Sequence, residues 1–182
     1  MDIKDRKINL FEKLIMIKLI KSAGGIIYYY DENNELRFLL IKRHALSGKI
    51  ERVAPKGKIQ AGETEEKAAL REVSEETGIP LNLLTVRHKV WSAMIRWLED
   101  RDGKFEKEVT YFLMKYDGEP DLVDIQLVEW YLWSYKRANI ADVLNLIYYV
   151  DIRELFRKWF NMLKDQKQKN DVKKDFMKKL EL

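Results

Sequence analysis

Three glutamates near the middle of the chain have the type and spacing of a metal-binding cluster. Glu72, Glu75 and Glu76 stand at i, i+3 and i+4, so a helix would place them within about 100° of one another. At an effective dielectric near 20, two unit charges roughly 6 Å apart repel by about 3 kcal/mol. A bound divalent cation would remove this repulsion, and Mg²⁺ is the natural candidate for an all-oxygen site.

The helix that must carry these glutamates has recognisable start and stop signals. Thr64 is a candidate N-cap and Gly78 a candidate C′ residue. The cluster therefore occupies the last two turns, where the helix dipole opposes anions, and Arg71 can offset only one of the charges. The alternative interpretation is a solvated acidic face, which we favour for Glu65 and Glu66 in the first turn.

The hydrophobic pattern around this helix predicts strands before and after it. A paired Gly24–Gly25 in the first strand indicates a close backbone approach. A loop containing Gly48, Pro55, Gly57 and Gly62 leads into the helix. In chain order, the other predicted elements are a helix at 1–15, strands at 23–30, 36–43, 86–97, 105–116 and 123–133, and helices at 138–149 and 152–181. This order predicts a mixed α/β layered domain with helical additions at both ends.

Composition narrows the function classes. The 182-residue chain has no cysteine and two histidines, which excludes disulfides and cysteine nucleophiles and argues against a multi-histidine zinc centre. Its net charge of +4 lies in residues 151–182, with 10 Lys/Arg against 6 Asp/Glu, while residues 1–150 hold 24 of each. No apolar run reaches the roughly 18 residues that span a bilayer, and the N-terminus has no secretory signal. We expect a cytoplasmic protein with no membrane partner.

Residues 57–79 resemble the Nudix box, G-x5-E-x7-R-E-U-x-E-E-x-G-U, at every specified position. Seven fixed positions match by chance on the order of 10⁻⁸ per start site. The resemblance implies an α/β/α sandwich with a mixed β-sheet over residues 21–149. Residues 1–20 would then be an N-terminal extension and residues 150–182 a basic C-terminal helical extension. The box residues are Gly57, Glu63, Arg71, Glu72, Val73, Glu75, Glu76, Gly78 and Ile79.

The resemblance also implies a chemistry and residue roles. Such proteins cleave a nucleoside diphosphate linked to another moiety, with Mg²⁺ or Mn²⁺ as cofactor. Glu72, Glu75 and Glu76 would ligate the metal, together with the backbone carbonyl of Lys56. Arg71 would act with these catalytic glutamates by orienting them. The supporting residues are Gly57, Glu63 and Gly78.

The general base that takes the proton of the attacking water is left open by the sequence. Within the box, Glu72 and Glu76 are candidates, although a metal role is favoured for both. Outside the box, the candidates are Glu108 and Glu129 on the downstream predicted strands.

Residues outside the box bear on the substrate. Pro55-Lys56-Gly57-Lys58 resembles the box entry of Nudix hydrolases that act on dinucleoside polyphosphates, but Arg52 stands where those proteins often have tryptophan. Lys56, Lys58 and Arg43 are candidate ligands of the phosphate chain, and an ordinary charged loop is the alternative.

Residues 107–116 resemble the strand that carries a base-stacking aromatic side chain in Nudix hydrolases of diadenosine polyphosphates, and this resemblance implies a base-binding role for an aromatic pair there. Strand alternation puts Tyr111 and Phe112 on opposite faces. One of them would be core and the other could stack on a purine, and we choose Tyr111 for stacking.

The leading prediction is a Mg²⁺-dependent pyrophosphohydrolase of a small nucleotide such as diadenosine tetraphosphate. The first alternative keeps the chemistry and makes the substrate the 5′ end of RNA, with removal of pyrophosphate or a cap, which the basic tail favours. A second alternative is a non-catalytic Nudix domain that senses a nucleotide, against which the complete set of box carboxylates argues. The oligomeric state stays open.

Overall fold

The structure, a computed structural model, describes residues 18–44, 50–100, 103–118 and 135–180. The strands are β1 (Lys18–Tyr30), β2 (Leu36–His44), β3 (Ile50–Val53), β4 (Lys56–Lys58), β5 (Leu84–Asp100), β6 (Gly103–Tyr116) and β7 (Tyr135–Ala138). The helices are α1 (Glu65–Thr77), α2 (Ile140–Leu146) and α3 (Val150–Leu180), with a 3₁₀ turn at Leu81–Leu83. The predicted helix at 1–15, the predicted strand at 123–133 and Glu129 lie outside the described residues.

The described strands form one mixed sheet in the order β3-β2-β1-β6-β5, with β4 paired to β1 and β7 paired to β2. Strands β1 and β6 run parallel, with Ala23 opposite Thr110, and the other described pairs are antiparallel. The predicted strands at 23–30, 36–43, 86–97 and 105–116 are confirmed, and they form the antiparallel pairs β1–β2 and β5–β6.

Helices cover both faces of the sheet, which confirms the predicted α/β/α sandwich. Successive residues of β1 enter different core layers, as a period of two requires. Ile27 packs in the layer that contains Val73 of α1. Ile26 packs in the layer that contains Phe156 of α3. Because both faces are buried, β1 reads as a nearly continuous apolar run.

Helix α3 divides into a buried half and an exposed half. Its first half presents buried residues at helical spacing to the sheet, and these are Ile152, Leu155, Phe156, Trp159 and Leu163. Beyond Leu163 the helix is rich in lysine and mostly exposed. No helix in the described part of the chain is both long and apolar enough to cross a bilayer.

Two segments differ from the predictions. The expected loop before α1 contains the short strands β3 and β4, whose pairing with β2 and β1 comes from the tertiary fold and leaves little periodic signal. The helix expected at 138–149 spans Ile140–Leu146: it begins at Ile140 because Asn139 caps it by accepting from the Asp142 N–H at 2.9 Å, and it ends three residues earlier than predicted. Residues 135–138 instead form β7, which extends the sheet beside β2.

Candidate active site

Helix α1 is fixed at both ends, and this fixes the position of the acidic cluster. The Thr64 hydroxyl accepts a hydrogen bond of 3.2 Å from the Lys67 N–H, as predicted for an N-cap. Gly78 adopts a left-handed φ of 70°, and its N–H donates to the Ser74 carbonyl at 2.8 Å. Glycine tolerates this backbone region without strain, so the predicted C-terminal stop is confirmed.

Arg71 is the centre of a hydrogen-bond network that ties the loop to the helix. Its guanidinium binds both carboxylate oxygens of Glu63 at 2.9 Å, in a forked geometry. Nη1 also donates to Glu72 at 2.7 Å and to Glu75 at 3.0 Å, while Nη2 donates to the Lys58 carbonyl at 3.0 Å. These anionic partners, Glu63 first, hold the pKa of Arg71 well above its ordinary value. Arg71 therefore neutralises part of the acidic cluster and positions the rest.

Glu63 joins the loop to this network from the other side. Its carboxylate accepts from the Gln60 N–H at 3.1 Å in addition to the Arg71 fork. The Arg71 hydrogen bond, followed by the Gln60 bond, lowers the pKa of Glu63 below its ordinary value. Glu63 thus has the loop-to-helix contacts that its supporting role requires.

Two carboxylates of the acidic cluster contact the backbone of β4. Glu76 Oε2 accepts from the Lys56 N–H at 2.7 Å. A Cβ built on Gly57 would lie 1.9 Å from Glu72 Oε2, so only glycine leaves room for the Glu72 carboxylate there. Glu72 and Glu76, one turn apart on α1, therefore contact consecutive residues of the loop strand.

The glycine pair in β1 brings that loop strand against the sheet. The Gly25 N–H donates to the Pro55 carbonyl at 3.1 Å. A Cβ on Gly24 would lie 2.2 Å from the same carbonyl oxygen, and one on Gly25 would lie 2.6 Å from a Val73 methyl group. The predicted close approach is confirmed: the glycines let β4 and α1 both pack on β1.

The donor set fits a hard divalent cation. Glu72 and Glu76 offer carboxylate oxygens beside one stretch of backbone, and oxygen donors of this kind suit Mg²⁺. Glu75 differs because it is 59% exposed and contacts Arg71. Among the residues that the structure describes, no three histidine, aspartate or glutamate side chains converge at metal-ligand spacing. A three-glutamate metal set therefore stays a prediction: Glu72 keeps one oxygen on Arg71 and has the other for an ion, whereas Glu75 would have to turn from Arg71 toward the ion.

The residues predicted to bind phosphate lie on two different strands. Lys56 and Lys58 lie on β4 beside the carboxylates, the first half-buried and the second exposed. Arg43 lies on β2, and its side chain is outside the described part. The loop lysines are thus close to the acidic cluster in the chain and in the fold.

The structure corrects the expectation for the aromatic pair on β6. Tyr111 is 3% exposed and Phe112 is 4% exposed, and each packs in a different core layer. Both faces of the strand are covered by helices, so alternation does not leave either ring in solvent. Tyr111 has no exposed ring face here for stacking on a base.

One of the two general-base candidates outside the box lies in the described structure. Glu108 is half-buried on β6, two residues before Thr110 and therefore on the same face of the sheet. Thr110 donates to Glu65 of α1 at 3.2 Å, which identifies this as the face that α1 covers. Glu108 thus lies on the α1 side of the sheet, as a general base would need to.

The structure also corrects the interpretation of Glu65 as a solvated side chain. Its carboxylate pairs with Lys89 of β5 and accepts from the Thr110 hydroxyl of β6. The Lys89 hydrogen bond is the largest lowering influence on the pKa of Glu65. Glu66, by contrast, is exposed. Nothing in the local sequence distinguishes the two, because the partners of Glu65 come from distant strands.

Comparison with known proteins agrees with this geometry. A sequence model of the NUDIX domain matches residues 21–148. The chain is 28% identical over 141 residues to the Caenorhabditis elegans bis(5′-nucleosyl)-tetraphosphatase (asymmetrical), covering 78% of this chain and 95% of that protein. The crystal structure of a C. elegans Ap4A hydrolase binary complex superposes with a TM-score of 0.64 and 28% identity, covering 80% of this chain and 98% of that one. An RNA pyrophosphohydrolase from Sphingopyxis alaskensis is 30% identical over 100 residues, covering 51% of this chain and 63% of that protein.

Proposed function

Because this chain belongs to the NUDIX domain family and is a hydrolase of phosphoric anhydride bonds, we propose that it cleaves a dinucleoside polyphosphate such as diadenosine tetraphosphate with Mg²⁺. The similarity to the asymmetrical tetraphosphatase, which extends over 95% of that protein, carries the proposal. A cytoplasmic location is part of the same proposal.

Glu72 and Glu76 are the residues proposed to hold the metal, assisted by Glu75 and by the Lys56 carbonyl. When bound, a divalent cation supplies charge neutralisation at the pyrophosphate and lowers the pKa of a coordinated water. Arg71 keeps Glu72 in place through the 2.7 Å contact. The attachment of Glu76 to the Lys56 N–H keeps the second carboxylate next to the loop. The chain thereby organises oxygen donors before substrate arrives.

The substrate side of the site is the lysine-bearing strand β4. Lys56 and Lys58 would contact phosphate oxygens and counter their negative charge, which opposes the approach of a nucleophilic oxygen as its proton is removed. The water oxygen forms a bond to phosphorus while the anhydride P–O bond on the opposite side breaks. A carboxylate takes the proton of the water, and the leaving phosphate carries away the bond pair. Glu108 is the described candidate outside the box for this base.

A substrate screen tests the proposal. Diadenosine tetraphosphate and 5′-triphosphorylated RNA would be incubated with the protein and Mg²⁺, Mn²⁺ or chelator, and the products identified by mass. We expect Mg²⁺-dependent cleavage of the dinucleotide to ATP and AMP. Glu72→Gln should abolish that cleavage, while Glu66→Gln, an exposed change on the same helix, should leave it intact. Turnover that survives chelation, or is equal in the two variants, contradicts the metal assignment.

The second candidate function is removal of pyrophosphate from the 5′ end of RNA. It is favoured by the similarity to the S. alaskensis RNA pyrophosphohydrolase and by the basic second half of α3. This function predicts that triphosphorylated RNA outcompetes the dinucleotide and that the preference weakens as salt rises. A dinucleotide preference at all salt concentrations rules it out. Failure of every phosphoanhydride substrate would instead favour a nucleotide-sensing role.

A further inference from the structure

A second cleft lies on the other face of the sheet from α1. Its volume is about 570 Å³, within the range of small-molecule sites. The second half of α3 forms one wall, and the ends of β1, β5 and β6 form the other. Strand β1 rises about 3.3 Å per residue, so Tyr30 in this cleft is roughly 20 Å along β1 from Gly24, which pairs with Lys56. The cleft is therefore separate from the candidate active site.

The cleft is basic. Four cationic side chains line its described part, against the carboxylate of Asp171 in the lining, and one of the four, Lys115, is ion-paired with Asp117. Two come from the sheet, Arg87 and Lys115, and two from α3, Lys167 and Lys174. The cations thus face one another across the cleft, and such a concave arrangement concentrates positive potential and attracts an anion.

A break in the pairing of β5 brings adjacent side chains to this cleft. The register shifts between Val86 and His88, as at a β-bulge. Arg87 and His88 consequently both line the cleft, whereas regular alternation would send them to opposite faces. Bulges re-aim side chains in this way and are frequent beside binding sites.

The cleft also has an aromatic wall. The exposed His88 ring lies nearly parallel to Trp159, with centroids 5.6 Å apart and planes at 23°. The Tyr30 ring lies beneath the Lys167 ammonium, 5.2 Å from its centroid. Rings next to cations are the combination that binds a planar base joined to a phosphate. Asp171 adds an acceptor for ribose hydroxyls or base amino groups.

We propose that this cleft is a second binding site for a nucleotide unit, with the phosphate between Arg87 and Lys174 and the base against the His88–Tyr30 wall. The site is independent of the hydrolytic reaction. Its α3 wall lies beyond residues 21–148, the part of the chain that matches the family, so it is a feature added to the domain. The same chemistry could come from a free mononucleotide or from one unit of an RNA strand.

Titration calorimetry of the full chain tests the proposal. The four nucleoside 5′-monophosphates are suitable probes, because they contain no anhydride bond to cleave, and chelator would keep divalent ions out. The double change Arg87→Gln with Lys174→Gln should weaken binding by about tenfold or more. Lys173→Gln, an exposed neighbour on α3 that does not line the cleft, is the matched control. Lys58→Gln reports on binding at β4. Lys173→Gln should retain the wild-type affinity, and any affinity lost in Lys58→Gln is assigned to binding at β4.

Two further titrations, with inorganic phosphate and with a short RNA, identify the source of the ligand. Inorganic phosphate should bind at least tenfold more weakly than the best monophosphate. A short RNA without a 5′ phosphate that binds more tightly through Arg87 and Lys174 assigns the nucleotide unit to RNA. In the wild-type protein, amide NMR shifts on titration should cluster at residues 28–30, 87–88 and 166–174.

Three outcomes overturn the proposal. The first is the absence of binding by all four monophosphates. The second is binding that Lys58→Gln removes and the double cleft variant keeps, since the ligand would then occupy the β4 loop. The third is phosphate binding as tight as nucleotide binding, since the rings would then contribute nothing. Because hydrolysis plays no part in these measurements, the result is independent of the proposed enzymatic function.

Discussion

The carboxylate of Glu76 accepts a 2.7 Å hydrogen bond from the backbone N–H of Lys56. The two residues are 20 positions apart in the chain, and their contact joins the last turn of α1 to β4. Glu72, one turn earlier, lies against Gly57. The acidic helix face and the lysine-bearing loop are therefore one structural unit, in which the anions that would hold a cation lie beside the cations that would hold phosphate.

Glu76→Gln should separate chemistry from stability. The glutamine side-chain oxygen can still accept from the Lys56 N–H, so the free energy of unfolding should fall by about 1 kcal/mol or less. Loss of the negative charge should lower turnover by about 100-fold or more at a fixed Mg²⁺ concentration. Turnover against Mg²⁺ concentration, together with a thermal melt, measures both effects. Unchanged turnover would remove Glu76 from the metal site.

Gly57→Ala should damage the site by steric contact. The new Cβ would meet Glu72 Oε2 at 1.9 Å, so the carboxylate must move or the loop must shift. We expect a loss of stability of about 1–3 kcal/mol and a loss of turnover of roughly 100-fold. Gly62→Ala is the matched control: its φ of 79° strains any side chain but no atom lies within 4 Å. That variant should lose about 1 kcal/mol and keep its turnover.

Arg71→Lys should show that the bidentate geometry of the guanidinium, as well as its positive charge, stabilises the hydrogen-bond network. A lysine ammonium cannot bind both oxygens of Glu63 and also contact Glu72 and the Lys58 carbonyl. We expect the melting temperature to fall by about 5 °C and kcat to fall because Glu72 loses its orientation. Thermal melts and steady-state kinetics of the variant measure these effects. A wild-type melting temperature in this variant would contradict the network as described.

Acid should weaken the contacts of Glu63 in a defined pH window. Its pKa is held below the ordinary value of 4.5 by Arg71. Since the unfolded chain binds the proton more readily, the stability from this carboxylate is present above about pH 4.5 and is lost as pH falls through the lowered pKa. Urea unfolding from pH 7 to pH 3 should show the wild type losing its advantage over Glu63→Gln. If the wild type instead became more stable than Glu63→Gln as the pH falls, the pKa of Glu63 would be raised on folding, which contradicts the prediction.

How much of the fold could be predicted depends on how local each signal is. Both ends of helix α1 could be predicted, because Thr64 and Gly78 form hydrogen bonds with backbone groups only three or four residues away. Strand β4 was not, because its three residues are held by pairing with β1. The pairing of Glu65 with Lys89 is equally non-local, since the lysine lies 24 residues away on another element.

The aromatic pair on β6 shows a second limit. Alternation correctly assigns Tyr111 and Phe112 to opposite faces, but the pattern does not say what covers a face. Helix α3 packs on the Tyr111 side with Phe156 and Trp159. The spacing of its apolar residues predicts the helix, but it does not show which face of the sheet the helix covers. The box residues stand out in the sequence because their pattern is dense, whereas the surroundings of the proposed substrate-binding residues depend on tertiary packing.

Lys58→Gln should act on substrate binding and leave the catalytic carboxylates in place. The Lys58 side chain is exposed, and it is the carbonyl, retained in the variant, that accepts from Arg71. We therefore expect KM for diadenosine tetraphosphate to rise about threefold to tenfold, in line with the loss of one charge-assisted contact, with kcat nearly unchanged. The effect should shrink with a triphosphate-bridged substrate and with added salt, which screens exposed charges. Lys67→Gln, an exposed change on α1, should leave both constants unaltered. A fall in kcat at constant KM would place Lys58 in the chemical step, and equal losses in the two variants would remove it from the site.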